Sequence, residues 1–395
     1  MAESFDAIVI GGGVIGASVL FQLTRLGCRS ALLLERGDLA GGMTAYSSGI
    51  VRTHYSVPIN VQVARASLAM LENFRDLLDG DPEAGSGLVR SGYLIVAPPG
   101  ASSAAVRASV AMQRSLGVDA QLLDREQALA KHPWLHLDDV DAIGFEAEAG
   151  FADPYLVTTG FARAAKHGGA SIRTRTAVTG LLREGDRVTG VQTADGPIHA
   201  GVVLSAVNVW SRLAAGWADI EIPLAMSAHH VFTLAADAPY TADLPVLKDL
   251  ASDFKLYMRP SSGHLLVGAG NEGSPADNPD TPEVEADPDT LIGEAVQAAH
   301  RLPAFANGRL VRSWSGLYDT TPDWNPVLGQ VPGIKGLQVA FGFSGHGFKL
   351  SPMLGRMLAQ SMLGLDTDLP IEPYRMTRFA EGALLLGAYG PGAAS

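Results

Sequence analysis

The chain has 395 residues, 47% of them hydrophobic and 18% charged, with a formal net charge of −12. That length allows a large core and exceeds one compact domain of usual size, so two domains are expected. The acidic balance argues against nucleic acid or an anionic membrane as partner, and the single cysteine, Cys28, excludes an internal disulfide and a cysteine-based metal or iron–sulfur site.

Residues 7–10 are a short apolar, β-branched run, long enough for a buried strand and too short for a helix. Gly11, Gly13 and Gly16 follow in G-x-G-x-x-G spacing, and Val14 and Ile15 open a helical stretch that stops at Gly27. A second apolar run, 31–34, ends in Glu35. Strand, glycines, helix, strand and acid in register make a dinucleotide-binding βαβ unit. Its glycines let the backbone approach a pyrophosphate at the helix N-terminus, and Glu35 suits a ribose. This unit alone leaves NAD and FAD both open. The strand begins within a few residues of Met1, and no apolar span is long enough to cross a membrane, so a cytoplasmic protein without a leader is expected.

Beyond Arg36 comes a loop rich in Gly, Ser and Thr, then an amphipathic helix over 58–78 with Val61, Leu68, Leu71 and Phe74 on one side. The pattern predicts a strand at 91–97, helices at 102–116 and 121–135, a helix at 154–167 and a strand at 170–175. A β-meander over 178–203 turns at Gly185 and Gly196, and a buried strand covers 202–207. Residues 226–234 and 254–268 read as antiparallel strands. The acidic, proline-rich stretch 271–290 reads as loop, bordering an active-site entrance or, the favoured reading, making a plain surface connection. A helix at 291–302, a strand at 337–341, a helix at 352–363 and a disordered tail at 387–395 complete the chain. His229 and His230 are adjacent on a strand and face opposite ways, so they make a poor joint metal site, and no metal is expected.

Three further stretches carry chemistry: VLSAVNVWS (203–211), WSGLYDTTPDWNPVLG (314–329) and VAFGFSGHGFKLSP (339–352). In the last, a buried strand turns through glycines into a helix, where backbone N–H groups and Lys349 present positive potential to an anion. With the opening βαβ unit, these motifs resemble the D-amino-acid oxidase superfamily of flavoenzymes, in the branch of sarcosine oxidase, glycine oxidase and dimethylglycine dehydrogenase. The resemblance runs from the N-terminus to about Gly364.

The resemblance implies an α/β plus α+β fold: a Rossmann-like FAD-binding domain (1–90, 150–222 and 310–386) and a discontinuous antiparallel-sheet substrate domain (91–149 and 223–309). It implies that FAD is held by Gly11, Gly13, Val14, Ile15, Gly16, Glu35, Arg36, Thr44, Ala45, Ser48, Gly49, Ile50, Val178 and Gly316. The turn Gly345, His346, Gly347, Phe348 and Lys349 would lie beneath the flavin pyrimidine ring. Arg52 and Lys349 would clamp a substrate carboxylate, with Tyr257 lining the cavity, Tyr318 near the flavin and His346 orienting substrate. The implied reaction is oxidation of an amino acid's C–N bond in a secondary or N-methylated amine, by hydride transfer to flavin N5 and imine hydrolysis. The competing readings are a 2-hydroxy-acid dehydrogenase on the same fold and the flavin subunit of a hetero-oligomeric amine dehydrogenase.

Some relatives tether FAD through a cysteine where this chain has Gly316, or through a histidine where it reads TAYSSG, so non-covalent FAD is expected. Leu266 stands near the position of a family lysine that activates dioxygen, with Lys248 and Lys255 as candidate substitutes. The electron acceptor, dioxygen or a redox carrier, and the oligomeric state are thereby left open.

Overall fold

The computed structural model describes residues 3–236, 244–271, 273–281 and 286–389. Two large sheets organise them. In the first, Leu337–Phe341, Gly196–Ser205, Glu3–Ile10, Ala31–Leu34 and Ser171–Arg173 lie side by side and parallel. Val327–Gln330 closes one edge antiparallel, and Val178–Glu184 with Arg187–Thr193 forms the expected meander onto Gly196–Ser205. Ala7, Ile8 and Val9 are wholly buried, as a parallel strand covered on both faces requires.

The opening helix Val14–Arg25 packs against the last long helix, Gly347–Met362. Gly355 lets them approach, because a Cβ there would meet Ser18 Oγ at 2.1 Å. This packing sets two glycine turns, far apart in sequence, on one cavity.

The second sheet has nine strands. Ser274–Pro275, Ala225–Ala235, His264–Gly268, Tyr257–Ser261, Val246–Asp249, Tyr93–Ala97, Ala142–Glu146 and Ala120–Leu123 follow in order, with Arg309–Thr320 also paired to Ala225–Ala235. The pairings are antiparallel except for Val246–Asp249 beside Tyr93–Ala97, which is parallel. Arg309–Thr320 pairs with the second sheet almost throughout, so a cofactor segment opening at 310 would divide that ladder from its own partner strand.

Several local expectations are corrected. The helix expected over 58–78 breaks at Asn73 into Pro58–Glu72 and Phe74–Leu77. The stretch 121–135 is a strand, Ala120–Leu123, then a short helix, Arg125–Lys131, whose start is set by an Asp124–Gln127 capping box. The final helix begins at Gly347, not at 352, and carries Pro352 inside it. Proline removes the N–H that would bond the Phe348 carbonyl, and the Ser351 hydroxyl donates to that carbonyl at 2.7 Å instead. The tail is ordered as far as 389, because the Ala388 N–H donates to Ser56 Oγ and the Tyr389 hydroxyl meets His54 Nε2 at 2.6 Å. The rest of the expected disordered tail, 390–395, lies outside the described residues.

Candidate active site

A cavity of about 670 Å³ runs from Glu35 and Arg36 to Tyr257, Tyr318 and Gly345. At its first end the chain is shaped by close backbone approach. Gly11 has φ +109°, and a Cβ there would lie 2.5 Å from the Ala206 carbonyl oxygen; one on Gly16 would lie 1.9 Å from that of Gly11. Only glycine fits either place. Glu35, at the strand end, accepts from the Gly12 N–H at 2.6 Å and the Gly37 N–H at 2.7 Å, so its carboxylate is fixed beside the turn. The Thr44 hydroxyl accepts from the Val14 N–H at 3.1 Å, at the first turn of the opening helix.

Arg36 lies 4.3 Å above the Trp210 ring and pairs with Asp280 at 2.6 Å, while Trp210 Nε1 donates to the same carboxylate oxygen at 2.8 Å. Pro279 and Asp280 therefore border the cavity, which corrects the reading of 271–290 as a plain surface connection. Residues 272 and 282–285 of that stretch lie outside the described residues.

The second end combines the other glycine turn with aromatic rings. Gly345 has φ +79°, and a Cβ on it would meet the Tyr318 ring at 2.5 Å. Tyr318 stacks on His229 at 3.8 Å between centroids. His229 is cavity-lining while His230 is not, as their alternation on Ala225–Ala235 predicts. Burial draws His229 down to about 4. Asp319 was not singled out from the sequence, yet it holds this turn in place. Its carboxylate accepts from the Gly342 N–H at 2.6 Å and the Phe343 N–H at 3.1 Å. Burial pushes it up to about 7 against those two bonds. The acid inside the LYDTTP run was its one sequence signal.

Of the residues expected at the cofactor, Gly11, Gly13, Val14, Ile15, Glu35, Arg36, Thr44, Ser48, Val178, Gly316, Gly345, Gly347 and Phe348 line the cavity, as does Tyr257. Gly16, Ala45, Gly49, Ile50, Arg52, His346 and Lys349 stand off its wall. Gly16 serves the helix–strand approach, Ala45 is exposed, and Ile50 pairs with Phe151 in a two-stranded ladder.

Arg52, His346 and Lys349 are buried behind the second end. The Arg52 guanidinium sits 4.2 Å from the Tyr55 ring centroid, and His346 meets Tyr55 edge-on. Burial, and then the charge of Arg52, holds Lys349 well below the usual lysine range. The same two causes, with Lys255 added, bring Lys248 down to about 7. Lys248 is buried, 6.0 Å from the Tyr257 ring centroid, and donates to the Lys255 carbonyl, whereas Lys255 itself is exposed. Arg259 is drawn down to about 10 by burial. Glu146 faces Arg52. Its Oε2 accepts from the Thr53 N–H at 3.0 Å, its Oε1 lies 3.7 Å from His54 Nδ1, and burial raises it to about 7. His54 falls to about 3 through burial and Arg52.

The first end fits a bound dinucleotide, because the start of the opening helix at Gly13 and Val14 lines the cavity and the acid stands at the strand end. The second end fits the remainder of an elongated cofactor, with helix N-terminal N–H groups beside it. Fold and cavity together define a dinucleotide-binding protein with a cofactor layer and a facing sheet. A family model described as FAD dependent oxidoreductase matches residues 6–361, and the chain belongs to that family.

Among relatives, the chain is 29% identical to sarcosine oxidase subunit beta of Arthrobacter sp over 97% of its own length and 93% of that protein's. It superposes on L-proline dehydrogenase from P. horikoshii with a TM-score of 0.88 at 27% identity, covering 97% of this chain and 100% of that one. Glycine oxidase from Geobacillus kaustophilus shares the fold, with a TM-score of 0.81, 23% identity and coverage of 95% and 99%. The chain is thus an FAD-dependent oxidoreductase.

Proposed function

We propose that this enzyme oxidises the C–N bond of an amino acid bearing a secondary or N-methylated amine, with FAD held non-covalently. The observation that carries the reading is the buried cation excess behind the second end of the cavity. Arg52, Lys349 and Lys248 are buried, Arg259 is partly exposed, and Glu146 is the carboxylate that faces Arg52. An entering carboxylate offsets charge that burial disfavours, and Arg52 with Lys349 grips it. Support comes from the names of the relatives, since sarcosine and L-proline are both secondary amino acids.

FAD, when bound, supplies the hydride acceptor. The protein's part is to fix the carboxylate so that the α-carbon lies against the cavity at Tyr257 and Tyr318, and to hold the amine in its neutral form among cations. A neutral amine needs no strong protein base, whereas a 2-hydroxy acid does, and His229 at about 4 is a weak one. Non-covalent FAD is supported by Gly316 at the tethering position and by Cys28 standing at the far end of the opening helix.

We assign residues 1–90, 150–222 and most of 310–386 to the cofactor part and the remainder to the substrate part, in a cytoplasmic protein. No helix among the described residues is long and apolar enough to cross a membrane. Anaerobic mixing with sarcosine, L-proline, glycine and 2-hydroxyglutarate tests the reading. Bleaching of the flavin band by the secondary amines is expected; bleaching by the hydroxy acid alone overturns it. Acid precipitation should release FAD into the supernatant, and the rate of reoxidation in air separates oxidase from dehydrogenase.

A further inference from the structure

Away from the cavity, on the outer cover of the second sheet, His136, Asp139 and His300 each point one ligating atom into a common space. All three atoms lie within 4.8 Å of one another. His136 and Asp139 belong to the loop after the helix Arg125–Lys131, while His300 is in the last turn of Pro288–Arg301. The two imidazoles meet edge to face, with centroids 4.4 Å apart and planes at 83°. His300 Nε2 is 3.5 Å from Asp139 Oδ2, close to the spacing of about 3.3 Å that two ligands keep around tetrahedral zinc.

The support behind these groups is unusually firm. Arg301 is wholly buried and holds Asp139 through both carboxylate oxygens, at 2.8 and 2.9 Å. It also bonds Asp249, at 2.8 and 3.2 Å, so its positive charge is offset by a second carboxylate. Arg301 also donates to the His136 carbonyl, and its own carbonyl accepts the His136 N–H at 3.0 Å. One buried residue thus fixes the backbone of one imidazole and the carboxylate, and directly follows the other imidazole in sequence. Outer partners of this kind orient metal ligands. His136 Nδ1 is buried without a hydrogen-bond partner, and its Nε2 lies 3.3 Å from Asp138, which Arg125 engages in turn.

We propose that His136, Asp139 and His300 form a zinc-class divalent metal site, with water completing the shell. Two imidazole nitrogens and one carboxylate suit zinc or a neighbouring late transition metal and not magnesium or calcium. The ion ties the loop 132–141 to the end of the helix Pro288–Arg301. Both segments cover one hydrophobic cluster, in which Leu135 and Leu137 pack with Ala298 and Leu302. The role is a brace for this cover, independent of the FAD chemistry.

The test is calorimetric titration of zinc chloride into chelator-treated, dialysed holoenzyme, beside the single variant His300→Gln and the double variant His136→Gln/His300→Gln. Both histidines are partly exposed, and retained flavin absorbance reports folding. One equivalent of zinc should bind to the wild type and raise its melting temperature. Affinity should fall about 10-fold in the single variant and about 100-fold in the double. Cobalt in place of zinc should give the visible absorption of a four-coordinate ion in the wild type alone. Absence of a saturable equivalent, or the same isotherm in wild type and variants, overturns the proposal.

Discussion

The two ends of the cavity are made of different material. At the Glu35 end the surface is backbone: Gly11 and Gly16 bring chain against chain, and the carboxylate of Glu35 is itself tied to two N–H groups. Behind the Tyr257 end the material is buried charge, with Lys248, Lys349 and Glu146 set around Arg52. A backbone surface tolerates almost no substitution and has little to titrate. A charged interior tolerates changes of shape but responds to pH and to any anion that enters. The first arrangement suits a permanent cofactor, and the second suits a ligand that must come and go.

Gly16→Val attacks the backbone end and should have the largest effect. Its Cβ would lie 1.9 Å from the Gly11 carbonyl oxygen, so the opening helix must shift. Denaturation should show a loss of about 3 kcal/mol or more, and the purified protein should lack the flavin absorbance.

Glu146→Gln sharpens the charged end. In the folded chain this carboxyl titrates at about 7, above its ordinary 4.5. Its contribution to stability is therefore fully present below pH 4.5 and is lost as pH rises through about 7. The glutamine keeps an acceptor for the Thr53 N–H and removes the titration. Between those limits the wild type should lose up to about 3 kcal/mol relative to the variant, as read by denaturant midpoints across pH. Parallel pH profiles would show that Glu146 is not held as a buried neutral acid.

Arg52→Met should leave FAD content intact and weaken carboxylate binding by about 2 kcal/mol, close to 30-fold. Asp280→Asn should have the smallest effect, because the Arg36–Asp280 pair is largely exposed. FAD release, followed by its fluorescence, should quicken about threefold, with the difference shrinking in salt.

How far each end was legible in the sequence follows from the same contrast. Close backbone approach demands glycine, and glycine spacing survives in one dimension, so the βαβ unit and the 345–347 turn could be read directly. Asp319 could not, because its partners are anonymous N–H groups at Gly342 and Phe343. Glu146 could not either, because nothing local marks a carboxyl that will be buried. Asp280 carries no local sign, in its proline-rich loop, that Arg36 and Trp210 will bond to it. Pro352 concealed the true start of the last helix, since the Ser351 hydroxyl that compensates for it leaves no periodic signal.

The most direct test of the division between a backbone cradle and a cationic chamber is carboxylate binding to Lys349→Met. Methoxyacetate, which has the shape of sarcosine without its amine, can be titrated into oxidised enzyme and followed by the change in flavin absorbance. The account predicts full FAD content in both proteins and a dissociation constant at least about 10-fold higher in the variant. An unchanged constant with FAD fully bound would contradict it.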